Sequence, residues 1–165
     1  MARFKLTLAI TLLLLGPVQL RGQVFGGVFG ILVQDSCSES GESSGVGVEG
    51  GLNIPVLPLD FFGSAEWFSP NCARRDLRGW SLGFNYRVLP VPLASPYVTG
   101  GRTWRRSENG EPPGSGEGMF GGIGIDVSLP GFGLFTEIRY EFLSGDLAQT
   151  VMRAGFLLSW GGLPL

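Results

Sequence analysis

Val46-Gly47-Val48-Glu49-Gly50-Gly51-Leu52-Asn53-Ile54 decides the fold. Successive side chains of an extended chain point to opposite faces, so Val46, Val48, Gly50, Leu52 and Ile54 share one face and Gly47, Glu49, Gly51 and Asn53 the other. One face is apolar and the other polar or tiny. Residues 80–88 repeat the pattern, with Trp80, Leu82, Phe84, Tyr86 and Val88 against Ser81, Gly83, Asn85 and Arg87. In residues 121–129, Ile123, Ile125, Val127 and Leu129 oppose Gly122, Gly124, Asp126 and Ser128. In residues 134–142, Leu134, Thr136, Ile138, Tyr140 and Phe142 oppose Phe135, Glu137, Arg139 and Glu141. Residues 152–160 set Met152, Ala154, Phe156, Leu158 and Trp160 against Arg153, Gly155, Leu157 and Ser159. Weaker alternation marks 23–34, 59–68 and 96–104, whereas no helical period is sustained beyond residue 22. The pattern predicts eight strands of about ten residues each.

The connections alternate in character. Residues 35–45, 69–76, 105–118 and 144–149 are polar, while 55–58, 89–96 and 130–133 are short or proline-rich and apolar. An up-and-down meander puts the first set at one end and the second at the other. Ahead of it, residues 1–22 carry Arg3 and Lys5, then the apolar run Leu6 to Leu15 and Gly16-Pro17, the layout of a secretory signal. The domain plan is therefore a signal peptide over 1–22, a barrel over 23–160 and a short extension over 161–165. Beyond residue 22 the basic residues are nine arginines and no lysine, against 14 acidic residues.

Composition removes many functions. Only 16% of the 165 residues are charged, against about 25% in an ordinary soluble domain. The chain is 44% hydrophobic, so its 28 glycines belong neither to a collagen repeat nor to a polar disordered tail. There is no histidine, which excludes Ser-His-Asp and Cys-His catalysis and histidine metal sites. A net charge of −2 offers no footprint for nucleic acid. Gly121-Gly122-Ile123-Gly124 completes no nucleotide fingerprint. No enzymatic activity and no cofactor is read from the chain.

Two solvents are compatible with period-two faces. A soluble barrel turns the apolar face inward, and a membrane barrel turns it outward. The polar face here is rich in glycine (Gly47, Gly51, Gly83, Gly122, Gly124, Gly155), which suits a crowded lumen better than a wet surface. Strands of this length cross a bilayer when tilted about 45°. Trp67, Trp80, Tyr97, Tyr140 and Trp160 sit near segment ends, as interfacial girdles do. The expectation is an all-β, eight-stranded antiparallel transmembrane barrel. A soluble secreted barrel binding a small apolar ligand is the alternative, and a narrow channel is a second.

With these segments in view, Pro96-Tyr97-Val98-Thr99-Gly100-Gly101, Glu137-Ile138-Arg139-Tyr140-Glu141-Phe142 and a last strand ending in an aromatic resemble the small eight-stranded outer-membrane β-barrels of the OmpA/OmpX type. The resemblance covers residues 23–160. It implies a monomer in a Gram-negative outer membrane, in contact with its lipids and lipopolysaccharide. It also implies that Trp160 serves as the signal to the barrel assembly machinery, although the extension 161–165 departs from that pattern. The implied role is structural (envelope integrity) or adhesive, through loops that meet an extracellular partner.

The face assignment directs Glu49, Glu66, Arg87, Arg102, Asp126, Glu137, Arg139, Glu141 and Arg153 into the lumen. Acids and bases in near balance predict a paired network that plugs the barrel. Cys37 and Cys72 fall in the first two polar loops, at the same end, and an even cysteine count in a secreted chain predicts a disulfide, with two free thiols as the alternative. Arg74, Arg75, Arg78, Arg105 and Arg106 cluster at that end and are candidates for contact with lipid A phosphates, or else form a solvated rim beside Asp76, Glu108 and Glu111.

Overall fold

A ladder of inter-strand hydrogen bonds that closes on itself leaves no edge, and the chain achieves this with consecutive antiparallel neighbours only. The computed structural model describes residues 23–34, 42–54, 57–69, 77–89, 94–107, 116–129, 132–144 and 147–160. The strands are β1 (Gln23–Gln34), β2 (Glu42–Ile54), β3 (Leu59–Ser69), β4 (Leu77–Arg87), β5 (Ala94–Ser107), β6 (Gly116–Leu129), β7 (Phe132–Leu143) and β8 (Leu147–Trp160). Each pairs with the next, and β8 pairs back onto β1. Following paired positions once round from Phe25 leads to Gln149 on β8 and then to the position just past Gln34, a stagger of ten residues. With about 3.4 Å of rise per residue and about 4.8 Å between strands, that stagger tilts the strands by about 40°.

The strands outrun the apolar alternation. β2 begins at Glu42, β6 at Gly116 and β8 at Leu147, and β5 runs to Ser107. The added residues are mostly small or polar, and the backbone ladder carries them without an apolar face. The connection read as 105–118 therefore shrinks to 108–115.

The apolar face is outside. Val28, Trp80, Ile123 and Phe156 are 57–64% exposed, while Glu66, Arg139 and Glu141 are at most 1% exposed. This inverts the arrangement of a water-soluble domain and overturns the alternative of a soluble barrel with an apolar interior.

Inside, glycines make room for rings. The Phe29 ring lies over Gly47, Phe25 over Gly51 and Tyr97 over Gly124, and Gly83 fits beneath Phe62 and Phe120. Eight strands leave a lumen just wide enough to be filled by side chains, and these ring-on-glycine contacts fill it. Phe29 and Phe135 meet edge to face with centroids 6.0 Å apart, joined by buried Ile31, Val33, Phe68 and Val151.

The phase of β5 corrects the sequence reading. Tyr97, assigned to the outer girdle, is buried in the lumen, and Arg102, assigned to the lumen, is on the outer face. Arg105, assigned to a loop, is buried inside. One inversion accounts for Tyr97 and Arg102, and the run of β5 on to Ser107 brings in Arg105. Odd residues of β5 face in and even residues face out.

A methyl group at Gly124 would collide with the Tyr97 ring, whereas Gly121 on the outer face has nothing within 4 Å of its added Cβ. Gly124→Ala is expected to destabilise the barrel by about 1–3 kcal/mol, and Gly121→Ala to change it by no more than about 0.5 kcal/mol. Urea titration of the folded fraction checks the contrast.

Candidate functional site: the charged lumen

On β7 the two-residue period places Glu137, Arg139 and Glu141 in one inward column, and the ladder sets Glu137 directly opposite Arg153 of β8. Around that column two clusters assemble. In the first, Arg105 forks onto Glu141, with Nε donating to Oε2 at 3.2 Å and Nη2 to Oε1 at 2.5 Å. Its remaining Nη1 donates to Glu66. Gln149 donates to Glu141 at 2.7 Å, and the Ser64 hydroxyl donates to Glu66 at 3.0 Å. In the second cluster Glu137 accepts from three donors: Arg139, Arg153 at 3.2 Å and the Tyr97 hydroxyl at 3.1 Å. Arg153 also donates to Glu49 at 2.5 Å. Arg139 and Arg153 each lie 3.9 Å from Glu66, which joins the clusters.

Each guanidinium also rests on rings. Arg153 is 3.7 Å from the Phe29 centroid, Arg139 is 4.3 Å from Phe120 and 5.0 Å from Phe62, and Arg105 is 4.5 Å from Phe68. A planar, weakly hydrated cation accepts carboxylates at its edge and aromatic faces above it, which an ammonium group does less well. This accounts for the choice of arginine in the lumen.

Toward the end with the short connections, Arg87 pairs with Asp60 at 2.8 Å and lies 3.8 Å from Asp126. A cavity of about 110 Å³ opens there, with Asp60, Asn85, Arg87, Tyr97, Asp126 and Phe135 among its lining residues. It has room for a few waters and reaches Glu49 of the second cluster.

Eight of the nine residues directed to the lumen thus line it: Glu49, Glu66, Arg87, Asp126, Glu137, Arg139, Glu141 and Arg153. Arg102 is the exception. It stands outside, paired with Glu117 at 3.5 Å and 5.6 Å from the Trp104 ring. The reading missed Arg105, Asp60 and Tyr97. Asp60 shares the parity of Phe62, Ser64 and Glu66, and that parity would have found it. Of the proposed phosphate contacts, Arg78 and Arg106 are exposed on the outer wall and Arg105 is withdrawn into the lumen. Arg74, Arg75, Cys37, Cys72 and the segments 1–22 and 161–165 lie outside the described residues. Trp160 ends β8 on the outer face, opposite Val24.

Chemically the site binds itself. Glu66, Glu137 and Glu141 are each engaged by arginine and buried, so none stands open to a substrate as an acid or base. Removing one partner of a buried pair costs about 3–5 kcal/mol. Arg105→Leu is therefore expected to lower stability by that amount, while Arg102→Leu on the outer wall changes it by less than about 1 kcal/mol. Denaturant titration of the two variants side by side tests both the network and the phase of β5.

No protein-family profile matches the chain, and no curated protein is similar to it in sequence. Solved structures are similar in shape. Neisserial surface protein A superposes with a TM-score of 0.62 at 16% identity, covering 84% of this chain and 97% of that one. The N-terminal β-barrel domain of Pseudomonas aeruginosa OprF gives 0.58 at 12%, covering 84% and 99%. Ail, the attachment invasion locus protein of Yersinia pestis, solved with the heparin analogue sucrose octasulfate, gives 0.51 at 14%, covering 85% and 99%. At these identities the likeness is one of architecture, and the architecture is that of the small eight-stranded outer-membrane β-barrels of the OmpA/OmpX type.

Proposed function

We propose that the protein is a monomeric, non-enzymatic barrel of a Gram-negative outer membrane, a structural wall element that presents its polar loops for attachment at the cell surface. The observation that carries this reading is the pairing of an apolar outer wall with a lumen closed by Arg105, Arg139 and Arg153 on their glutamates. A filled lumen leaves two surfaces for function, the lipid-facing wall and the loops. The loops between β1 and β2, β3 and β4, β5 and β6, and β7 and β8 emerge at one end. The shorter connections and Trp160 lie at the other, which we assign to the periplasm. Attachment is supported by shape alone, through the likeness to the attachment invasion locus protein. Trp160, exposed at the end of the closing strand, fits a signal to the assembly machinery.

Two measurements test this. Protein from the outer-membrane fraction is expected to migrate differently in electrophoresis before and after boiling, and a soluble protein without that shift would overturn the membrane reading. In planar bilayers the purified barrel is expected to show no large steady conductance. Such a conductance would replace the structural role with that of a channel.

We further infer a bridge between Cys37 and Cys72, because their two loops emerge at the same end from the hairpins β1–β2 and β3–β4. Titration of denatured, unreduced protein is expected to find no free thiol, and two free thiols would reject the bridge.

A further inference from the structure

The described side chains that face the lumen carry more acid than base. In the two joined clusters Arg105, Arg139 and Arg153 stand against Glu49, Glu66, Glu137 and Glu141, and toward the short connections Arg87 stands against Asp60 and Asp126. Each set holds one carboxylate more than it holds arginines. Both surpluses reach the same place, because Glu49 from the first set and Asp60 and Asp126 from the second line one cavity of about 110 Å³. A buried charge that lacks a counter-charge is costly.

Nη2 of Arg87 lies 2.8 Å from Oδ2 of Asp60 and 3.8 Å from Oδ2 of Asp126, so the two carboxylates flank one point. Arg87 faces one oxygen of each. The other oxygen of each, Oδ1, and Oδ1 of Asn85 are buried with no hydrogen-bond donor among the described residues. Asp60 is only 5% exposed, and the ladder sets it directly opposite Asn85. Buried polar atoms are nearly always satisfied, so three acceptors around one cavity call for a shared partner. A proton sits on one oxygen and bridges to a second at most. A water donates two hydrogen bonds and brings no charge. A cation takes several oxygens at once and also cancels the surplus.

The donors select the kind of ion. Asn53, Asp60, Asn85, Asp126, Ser128 and Ser159 offer carboxylate, amide and hydroxyl oxygens to the cavity, and neither imidazole nor thiolate lines it. Such a set suits a hard cation. Among the described residues no three acidic, histidine or cysteine side chains converge closely enough to cage a bare ion. The ion therefore keeps part of its water, for which the cavity has room at about 10–15 Å³ per molecule. Two surplus charges match a divalent ion.

We propose that this cavity, at the short-connection end of the lumen, binds a hard divalent cation on Oδ1 of Asp60, Asn85 and Asp126, with water completing its shell and Arg87 on the opposite oxygens of both aspartates. The ion ties β3, β4 and β6 together at that end and links the stability of the barrel to the divalent cations around it. The inference goes beyond the wall and the loops to a place inside the barrel. Two carboxylates beside an arginine make a weak site, with a Kd for calcium of about 10⁻⁴–10⁻³ M.

The test uses the folded full chain in neutral detergent micelles, which add no phosphate, at fixed ionic strength. Terbium is the probe, an oxygen-seeking ion of calcium's size whose emission is excited through nearby aromatic rings, and Tyr97 lines the cavity. The wild type is expected to give saturable emission that calcium displaces. Asp126→Asn and Asn85→Leu are each expected to need about tenfold more terbium for half-saturation, while Glu117→Gln on the outer wall behaves like the wild type. Arg87→Gln, which removes a neighbouring cation, is expected to bind more tightly. A purely structural trio of Asp60, Arg87 and Asp126 predicts no such gain. Heat-dependent mobility checks that each variant is folded, and Asn85→Leu, which leaves both charges in place, decides the matter if Asp126→Asn is not. Wild-type emission that calcium fails to displace, unchanged binding in Asn85→Leu, or loss of binding in a folded Arg87→Gln overturns the proposal.

Discussion

A barrel of eight strands with a ten-residue stagger encloses a space that side chains must fill, and the rest of this molecule follows from how that space is filled. Lipid outside requires apolar residues on the outer face, and among the described side chains the strand charges either go inward or stand together on the wall of β4–β6. Inward charges lose their water and persist only when paired. Arg105 held by Glu66 and Glu141, and Glu137 held by Tyr97, Arg139 and Arg153, meet that condition with edge contacts. The phenylalanines beneath the guanidinium groups and the glycines beneath the rings occupy the remaining volume.

This way of filling the lumen separates structure from activity. The carboxylates of Glu66, Glu137 and Glu141 are taken up by buried arginines, and rings fill much of the space between them. The surfaces left open are the loops and the lipid-facing wall. On that wall the chain departs from a uniform apolar band in one sector, where arginines, tryptophans and a trough of small residues adjoin.

Much of the barrel was legible because a strand repeats every two residues. In Val46–Ile54 and Leu134–Phe142 one parity is plainly apolar and the other carries glycine or charge, so orientation follows at once. β5 was illegible for a definite reason. Its odd face offers Tyr97, Thr99, Gly101, Thr103 and Arg105, and its even face offers Val98, Gly100, Arg102 and Trp104, so both parities carry an aromatic, a glycine and an arginine. Glycine content does not separate them, and Thr99 and Thr103 against Val98 leave only a small difference in hydropathy. Arg105 was lost for a second reason, because apolar alternation fades before the ladder ends at Ser107.

By itself the sequence determined the number of strands, their order as a meander, the absence of histidine chemistry and the parity of those strands whose faces differ in kind. These are local properties, set by composition and by a period of two. Tertiary structure alone decided the phase of β5 and the partners of the lumen charges. Glu66, Arg105 and Glu141 lie on β3, β5 and β7, and closure of the barrel brings them together. The odd face of β5 turns inward where two carboxylates require a cation and where Gly79 leaves space for the guanidinium of Arg105. No stretch of β5 read alone contains that information, because the deciding energy is a contact between strands that are not neighbours.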